Sequence, residues 1–183
     1  MPSVHVKWVG ANKDTIGDIG VRFYQTVLAG GLYLLTGSVL AEPFDDAITA
    51  YEQGDYQAAE TVFRVLAEQS HSGAETMLGV MYFHGRGVEE NKAHAAIWFY
   101  KASRKGNPNA QLAFGSLHIR GVGVRQNLVK AYEWLSLASL YGDDRIRGEA
   151  ERLKSEISDL IPEEERQQIS ENIRDWRPVP SLE

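Results

Sequence analysis

The chain has 183 residues, of which 43% are hydrophobic and 24% are charged, so it can bury the core of one domain and does not have the composition of a disordered chain. Its formal net charge of -6 disfavours general nucleic-acid binding, which requires an excess of Lys and Arg. The chain has no cysteine, which excludes disulfides, thiolate metal sites and cysteine nucleophiles.

An uncharged segment at residues 27–41 has the pattern of an export signal. Arg22 precedes it, and Val39 and Ala41 fit the -3 and -1 positions of a signal-peptidase site. The segment is shorter than the ~20 apolar residues of a membrane span. We therefore predict that residues 1–41 are an N-terminal extension and signal peptide. Cleavage would leave a periplasmic or secreted protein with no stable membrane span; the alternatives are an uncleaved signal anchored in the inner membrane and a buried helix.

The region before this segment is longer than an export signal needs. Residues 1–20 include Asp14 and Asp18, and acidic residues are unusual in the positively charged beginning of a signal peptide. We expect translation to start near Val21 and the mature protein to begin at Glu42.

The first predicted helix pair covers residues 44–70. Gly54-Asp55 supplies the residues of a tight turn between two apolar segments. Tyr51 lies before this turn, and Ala59 and Phe63 follow it four residues apart, which is the spacing of one helix face.

An internal repeat of 36 residues follows. When residues 71–106 are aligned with residues 107–142, eleven positions are identical, and a fixed period of this length is typical of stacked helix pairs. The identical pairs are Ala74/Ala110, Gly79/Gly115, Gly85/Gly121, Gly87/Gly123, Val88/Val124, Asn91/Asn127, Ala95/Ala131, Trp98/Trp134, Ala102/Ala138, Ser103/Ser139 and Gly106/Gly142.

Each copy reads as a helix, a tight loop and a second helix. Gly85 and Gly87 in the first copy, and Gly121 and Gly123 in the second, allow the positive φ angles that reverse the chain within a few residues. These pairs of glycines therefore predict the loop that joins the two helices of each unit.

The remaining repeated glycines have two predicted roles. Gly106 and Gly142 follow the second helices and are expected to form left-handed C-terminal caps. Gly79 and Gly115 lie inside the first helices, where glycine costs about 1 kcal/mol relative to alanine. We expect a close approach of the paired helix to compensate for that cost.

The second helices carry a repeated cap and a repeated tryptophan. Asn91 and Asn127 stand where an N-cap must accept hydrogen bonds from free backbone N–H groups. Trp98 and Trp134 lie on the apolar stripe of these helices, and we expect both rings to be buried between neighbouring units.

Two more helices are predicted after the repeats. Residues 144–176 have apolar positions at helical spacing and charged outer faces, which is typical of the helices that close a solenoid. The solenoid as a whole is expected to cover residues 42–176. Residues 177–183 include two prolines, and we predict that they form a disordered tail.

These residues resemble the Sel1-like repeat family, a relative of the tetratricopeptide repeat. The second copy departs from the family pattern at Phe114 and His118, where Leu and Tyr are usual. The resemblance implies an all-α fold, a solenoid of antiparallel helix pairs. The first copy matches at Ala74, Leu78-Gly79, Tyr82, Gly85, Gly87-Val88, Ala95, Trp98, Ala102 and Gly106, and the second at Ala110, Gly115, Gly121, Gly123-Val124, Lys130-Ala131, Trp134, Ala138 and Gly142.

No motif of catalysis or cofactor binding stands out. Gly85-x-Gly87 lacks the third glycine and the preceding strand of a dinucleotide site. No two histidines share a helix at a spacing of three or four residues, as a helical metal site requires. His84 and His118 are expected to be partly exposed surface residues. We predict no enzymatic activity, no catalytic residue, no cofactor and no metal site.

The resemblance also implies where a partner binds. In the tetratricopeptide relatives, the first helix of each pair lines the concave face. That face would be largely apolar, with a cation at one end to hold a carboxylate. The predicted partner-binding residues are Tyr51, Thr76, Val80, Phe83, His84, Leu112, Ser116, Ile119 and Arg120.

The predicted function is that of a non-enzymatic scaffold or adaptor, exported to the bacterial envelope, that binds a protein or peptide partner. Two alternatives stay open at this point. One is an envelope factor associated with peptidoglycan or polysaccharide, and the other is an enzyme of unknown type.

Overall fold

The computed structural model describes residues 43–179, and this part of the chain consists of eight α-helices without a strand. The predicted signal peptide and the last four residues lie outside the described part. The helices are α1 (Pro43–Glu52), α2 (Tyr56–Glu68), α3 (Ser72–His84), α4 (Lys92–Arg104), α5 (Pro108–Arg120), α6 (Leu128–Tyr141), α7 (Asp144–Ser158) and α8 (Glu163–Arg174).

The helices stack as four consecutive pairs. From α1 to α7 each helix packs against the next, α5 also contacts α7, and α8 packs on α6. The first helices α5 and α7 therefore lie beside each other, as do the second helices α6 and α8, which is the arrangement found in a solenoid. The all-α fold and the helix-pair architecture are confirmed, and α7 and α8 occupy the place predicted for the capping helices.

The double-glycine loops form as predicted. Gly87 and Gly123 have φ angles of 72° and 69°, a region that side chains other than glycine rarely adopt. Their position also demands glycine, because a Cβ on Gly87 would lie 2.8 Å from the carbonyl oxygen of Tyr56, and one on Gly123 only 2.1 Å from that of Lys92. The loop of each repeat thus docks on the beginning of the second helix in the preceding unit.

The glycines inside the first helices allow the close approach that was expected. A Cβ on Gly79 would lie 2.7 Å from the Phe99 ring of α4, and one on Gly115 would lie 2.8 Å from Leu135 of α6. Phe99 and Leu135 are equivalent in the repeat. Both helix pairs therefore pack in the same way around a glycine.

The caps follow the predictions with one exception. The side chains of Asn91 and Asn127 accept the N–H groups of His94 and Lys130, each at 2.9 Å. Gly106 has a φ of 85° and ends its helix in the left-handed region.

The exception is Gly142, for which the prediction of a left-handed cap is wrong. Its backbone is extended, with a φ of -78°. Asp143 directly after it already caps α7 by accepting the N–H of Ile146 at 2.8 Å, so no left-handed residue is needed to end α6. Glycine is required here by space, since a Cβ would lie 2.5 Å from Ile146.

The two tryptophans lie between units, but neither is fully buried. Trp98 packs against the core of α1, α2 and α3. Trp134 packs against the core of α4 and α5 and against the cluster that joins α6 to α8. The predicted placement between units is confirmed, while part of each ring remains accessible.

The prediction of a disordered tail is wrong for residues 177–179. The N–H of Val179 donates to the carbonyl of Arg104 at 2.9 Å, and Pro178 packs over Gly106. Pro178, one of the two prolines that suggested disorder, favours an extended path, and that path runs along the second helices. Residues 180–183 lie outside the described part.

Candidate partner-binding surface

The predicted partner-binding residues on α3 and α5 are mostly half-buried. Val80 and Phe83 pack partly against the core of α4 and α5. Leu112 and Ile119 pack partly against the core of α6 and α7. Each apolar side chain therefore serves the contact between units and leaves part of its surface in solvent.

The polar members of the predicted set lie on the same two helices. Ser116 is half-buried, whereas His84 and Arg120 are exposed at the last turns of α3 and α5. Arg120 has no salt bridge within the described residues. We call the seven residues that keep accessible surface the first-helix face: Val80, Phe83, His84, Leu112, Ser116, Ile119 and Arg120.

Thr76 does not belong to this surface. It is only 8% exposed, and its hydroxyl donates to the carbonyl of Ser72 at 2.8 Å. A side chain that is buried and bonded to its own helix cannot contact a partner, so the prediction for Thr76 is wrong.

Tyr51 is engaged within the molecule. Its hydroxyl accepts a hydrogen bond from Arg86 at 2.9 Å, and the guanidinium lies 5.6 Å and 5.7 Å from the ring centres of Tyr51 and Tyr56. This contact ties α1 to the loop of the first repeat. No sequence pattern indicated this role of Arg86, because its contact is made across two units.

Phe83 is the aromatic centre of the first-helix face. The ammonium of Lys92 lies 3.9 Å from the centre of its ring and also bonds to the carbonyl of Phe83. The His84 ring meets it edge-on with 5.0 Å between centres. An aromatic ring beside the ammonium of Lys92 is suited to apolar contact next to an acidic group of a partner.

His118 was predicted to be a surface residue, and that prediction is wrong. It is 6% exposed, its ring lies edge-on to Phe114 with 4.7 Å between centres, and Nδ1 is 3.2 Å from the carbonyl oxygen of Arg125. Burial lowers the pKa of the imidazole below its ordinary value. His118 therefore packs as a neutral ring and does not approach His84 on a shared surface.

The structure adds a second surface that the sequence did not reveal. A cavity of about 440 Å3 opens beside α4, and we call it the second-helix groove. Trp98, Lys101 and Arg104 line it from α4, and Lys105 lines it directly after that helix. One sequence pattern could have indicated this groove: three cationic residues follow Trp98 at helical spacing.

The floor of this groove holds a buried ion pair. Glu75 is 3% exposed, and its Oε1 accepts a hydrogen bond from Lys105 at 2.7 Å. Lys105 also donates to the carbonyl of Ser70 at 3.1 Å. The second carboxylate oxygen, Oε2, has no hydrogen-bond partner among the described residues.

Two searches of the described residues gave negative findings. No group of three or more His, Asp or Glu side chains within residues 43–179 is arranged to hold a metal ion. Within the same range, no helix has both the length and the apolar character needed to cross a membrane.

A stack of helix pairs with a period of 36 residues defines an α-solenoid of the tetratricopeptide-like class. The family model described as Sel1 repeat matches residues 72–107 and 108–143. The chain thus contains two Sel1 repeats, as the resemblance predicted.

Solved structures support the same fold. A protective antigen present in uropathogenic Escherichia coli strains, which displays an SLR fold, aligns with a TM-score of 0.66 and 22% identity over 74% of this chain and 30% of that one. A Sel1 repeat protein from Oxalobacter formigenes aligns with a TM-score of 0.57 and 27% identity over 62% of this chain and 45% of the other. The chain thus spans less than half the length of either protein. A search of curated proteins finds no match.

Sel1 repeats generally serve as scaffolds for protein–protein interaction. The surfaces described above are consistent with this general role, because they offer accessible side chains on successive helices.

Proposed function

We propose that this protein is a non-enzymatic adaptor of the bacterial envelope that binds a protein partner through the first-helix face. The observation that carries the proposal is the row of half-exposed apolar side chains on neighbouring first helices. Val80 and Phe83 belong to α3, and Leu112 and Ile119 belong to α5. Equivalent positions of successive units form the extended binding surface of a solenoid.

The polar ends of this face indicate the chemistry of the partner. His84 and Arg120 are exposed at equivalent positions of α3 and α5. A guanidinium without an internal ion pair is suited to hold a carboxylate in two parallel hydrogen bonds. An extended or helical peptide with an apolar stripe and an acidic residue fits this arrangement.

The test is crosslinking in cells followed by mass spectrometry, comparing the wild type with the double variant Phe83→Ala/Arg120→Ala. We expect the main crosslinked partner to be lost from the variant, because both its apolar and its ionic contact are removed. The far-UV circular dichroism should stay unchanged, since both side chains retain accessible surface.

A matched variant controls for general surface effects. Leu160→Ala/Arg174→Ala also removes one apolar side chain and one arginine, both exposed, from the last helix pair. This variant should keep the partner. Equal capture by the wild type and Phe83→Ala/Arg120→Ala would remove the first-helix face from consideration.

Export is the second part of the proposal. It is supported by the uncharged residues 27–41 that follow Arg22 and end in Val39-Leu40-Ala41. N-terminal sequencing of the protein isolated from its natural host should give Glu42. A protein that retains residues 27–41 in the membrane fraction would contradict cleavage and favour an anchored form.

A further inference from the structure

The second helices of the two Sel1 repeats differ in what covers their equivalent surfaces. Beside α6, the second helix of the second repeat, the groove is covered by the chain itself. The Trp176 ring packs against Tyr141 with 5.7 Å between centres. Pro178 and Trp176 lie 3.1 Å and 3.6 Å from the point where a Cβ of Gly106 would be. An extended aromatic–proline segment therefore fills the second-helix surface of this repeat.

Thirty-six residues earlier, the equivalent positions surround a space that no residue of the described range fills. Gly106, Trp134, Leu137 and Tyr141 contact the covering segment or its cluster. Their counterparts 36 residues earlier all line the second-helix groove, where Val179 is the only residue after α8 to reach the lining within the described part of the chain. These counterparts are Ser70, Trp98, Lys101 and Lys105.

The backbone of the two grooves is also equivalent. Ser70 has a φ of 66° and Gly106 a φ of 85°, so both lie in the left-handed region at the same repeat position. Ser70 is the only described residue other than glycine with a positive φ. The turn at Gly106 receives Pro178, and the equivalent turn at Ser70 is already formed and is covered by no residue of the described range 43–179.

The charge of the open groove differs from that of the covered one. Leu137, Leu140 and Tyr141 of the second repeat correspond to Lys101, Arg104 and Lys105 of the first. Trp176–Pro178 is complementary to the apolar surface beside α6. A segment that covers the groove beside α4 must instead be complementary to positive charge.

Two of the three cations are available for that purpose. Lys105 is occupied by Glu75. Lys101 and Arg104 have no salt bridge within the described residues; their cationic groups lie 4.2 Å and 5.7 Å from the ring centres of Trp98 and Tyr100. Glu68 is the exposed acid of the lining, so the groove retains an excess of positive charge.

We propose that the second-helix groove binds an extended peptide of a partner protein in which an acidic residue stands beside an aromatic residue or a proline. The aromatic or proline side chain packs on Trp98 and over Ser70, as Trp176 and Pro178 pack one repeat later. The carboxylate pairs with Lys101 and Arg104. This site is independent of the first-helix face.

The test selects ligands from a library of short random peptides displayed on phage, with the full chain immobilised. Wild-type protein should enrich peptides with Asp or Glu next to Trp, Tyr, Phe or Pro. The best of these peptides should bind Lys101→Glu/Arg104→Glu about tenfold or more weakly, because two attractive charges become repulsive. Lack of enrichment, or equal binding to this variant, would overturn the proposal.

Two further variants separate this groove from other sites. Lys101→Leu/Arg104→Leu places the residues of the second repeat in the first, and it should select aromatic or proline peptides without the acidic residue. Phe83→Ala/Arg120→Ala should bind the wild-type peptides unchanged, and loss of binding there would assign them to the first-helix face and contradict the proposal. Enrichment only after removal of residues 180–183 would also contradict it, because the groove would then belong to this chain's own residues.

Discussion

The two Sel1 repeats share a backbone and differ in what covers their second helices. In the repeat at residues 72–107, Trp98 lies at the edge of an open groove. In the repeat at residues 108–143, the half-buried Trp134 packs against two clusters, that of α4 and α5 and that of α6 and α8. The same tryptophan at the same repeat position is therefore part of a surface in one unit and a packing element in the other. Whether this tryptophan lines a surface groove or packs between clusters therefore depends on the position of its unit in the stack and not on the repeat pattern.

The largest difference between the repeats is expected at the second glycine of the loop. Gly123→Ala should lower the free energy of unfolding by about 4 kcal/mol, and Gly87→Ala by about 2 kcal/mol. Both changes place a side chain at positive φ, but the new Cβ at Gly123 meets the backbone of Lys92 at 2.1 Å, whereas that at Gly87 meets Tyr56 at 2.8 Å. Urea unfolding followed by circular dichroism measures both values.

Gly148→Ala is the control for these substitutions. Gly148 lies within α7, and a Cβ there would have open space around it. Alanine should therefore stabilise the protein by about 0.5–1 kcal/mol. Equal losses at Gly123 and Gly87 would show that the loops of the two repeats dock alike.

The tryptophans test the comparison directly. Trp134→Ala should cost about 3 kcal/mol, because its ring packs against Phe114 with 5.7 Å between centres and against the cluster of α8. Trp98→Ala should cost about 1.5 kcal/mol, since part of its ring faces the open groove. The midpoints of urea unfolding report the difference, and a larger loss for Trp98 would contradict the assignment of the open groove.

A smaller, pH-dependent difference is expected from His118, whose equivalent in the first repeat is Tyr82. Burial lowers the pKa of His118 from its ordinary 6.5, so the unfolded chain takes up a proton at a higher pH than the folded one. The stabilisation is complete above pH 6.5 and is lost as the pH falls below it. His118→Tyr should flatten this part of the pH profile of the urea midpoint, and an unchanged slope would refute a neutral, buried imidazole.

The helix caps should be the point at which the repeats agree most closely. Asn91→Ala and Asn127→Ala should each cost about 1 kcal/mol, because each side chain accepts a backbone N–H at 2.9 Å. The corresponding Asn→Asp variants should keep most of the stability, since a carboxylate can accept the same bond. A cost at one cap more than twice that at the other would indicate that the units are not locally equivalent.

The features that the sequence predicted correctly depend on neighbours in the chain or in the paired helix. The loop glycines Gly87 and Gly123 are recognisable because their type is required by the local backbone. Gly79 and Gly115 could be interpreted because a glycine inside a helix needs a close partner. The repeat supplied both signals twice, which is why the architecture was predictable.

The features that the sequence missed depend on contacts between distant segments. Thr76 was assigned to the surface by its place in the repeat, although its own equivalent, Leu112, is the one that keeps accessible surface. The path of residues 177–179 along α4 leaves no periodic trace. The second-helix groove exists because that path covers one unit and not the one before it.

The hydrogen bond from Val179 to Arg104 changes how the stack comes apart. In an array held together only by contacts between adjacent units, the terminal pair can melt while the interior stays intact. Here the segment after α8 is bonded to the end of α4 in the middle of the array, so melting of α8 also frees the end of α4. Amide exchange at these two places should therefore rise together, and the molecule should unfold more nearly as one cooperative body than its modular sequence suggests.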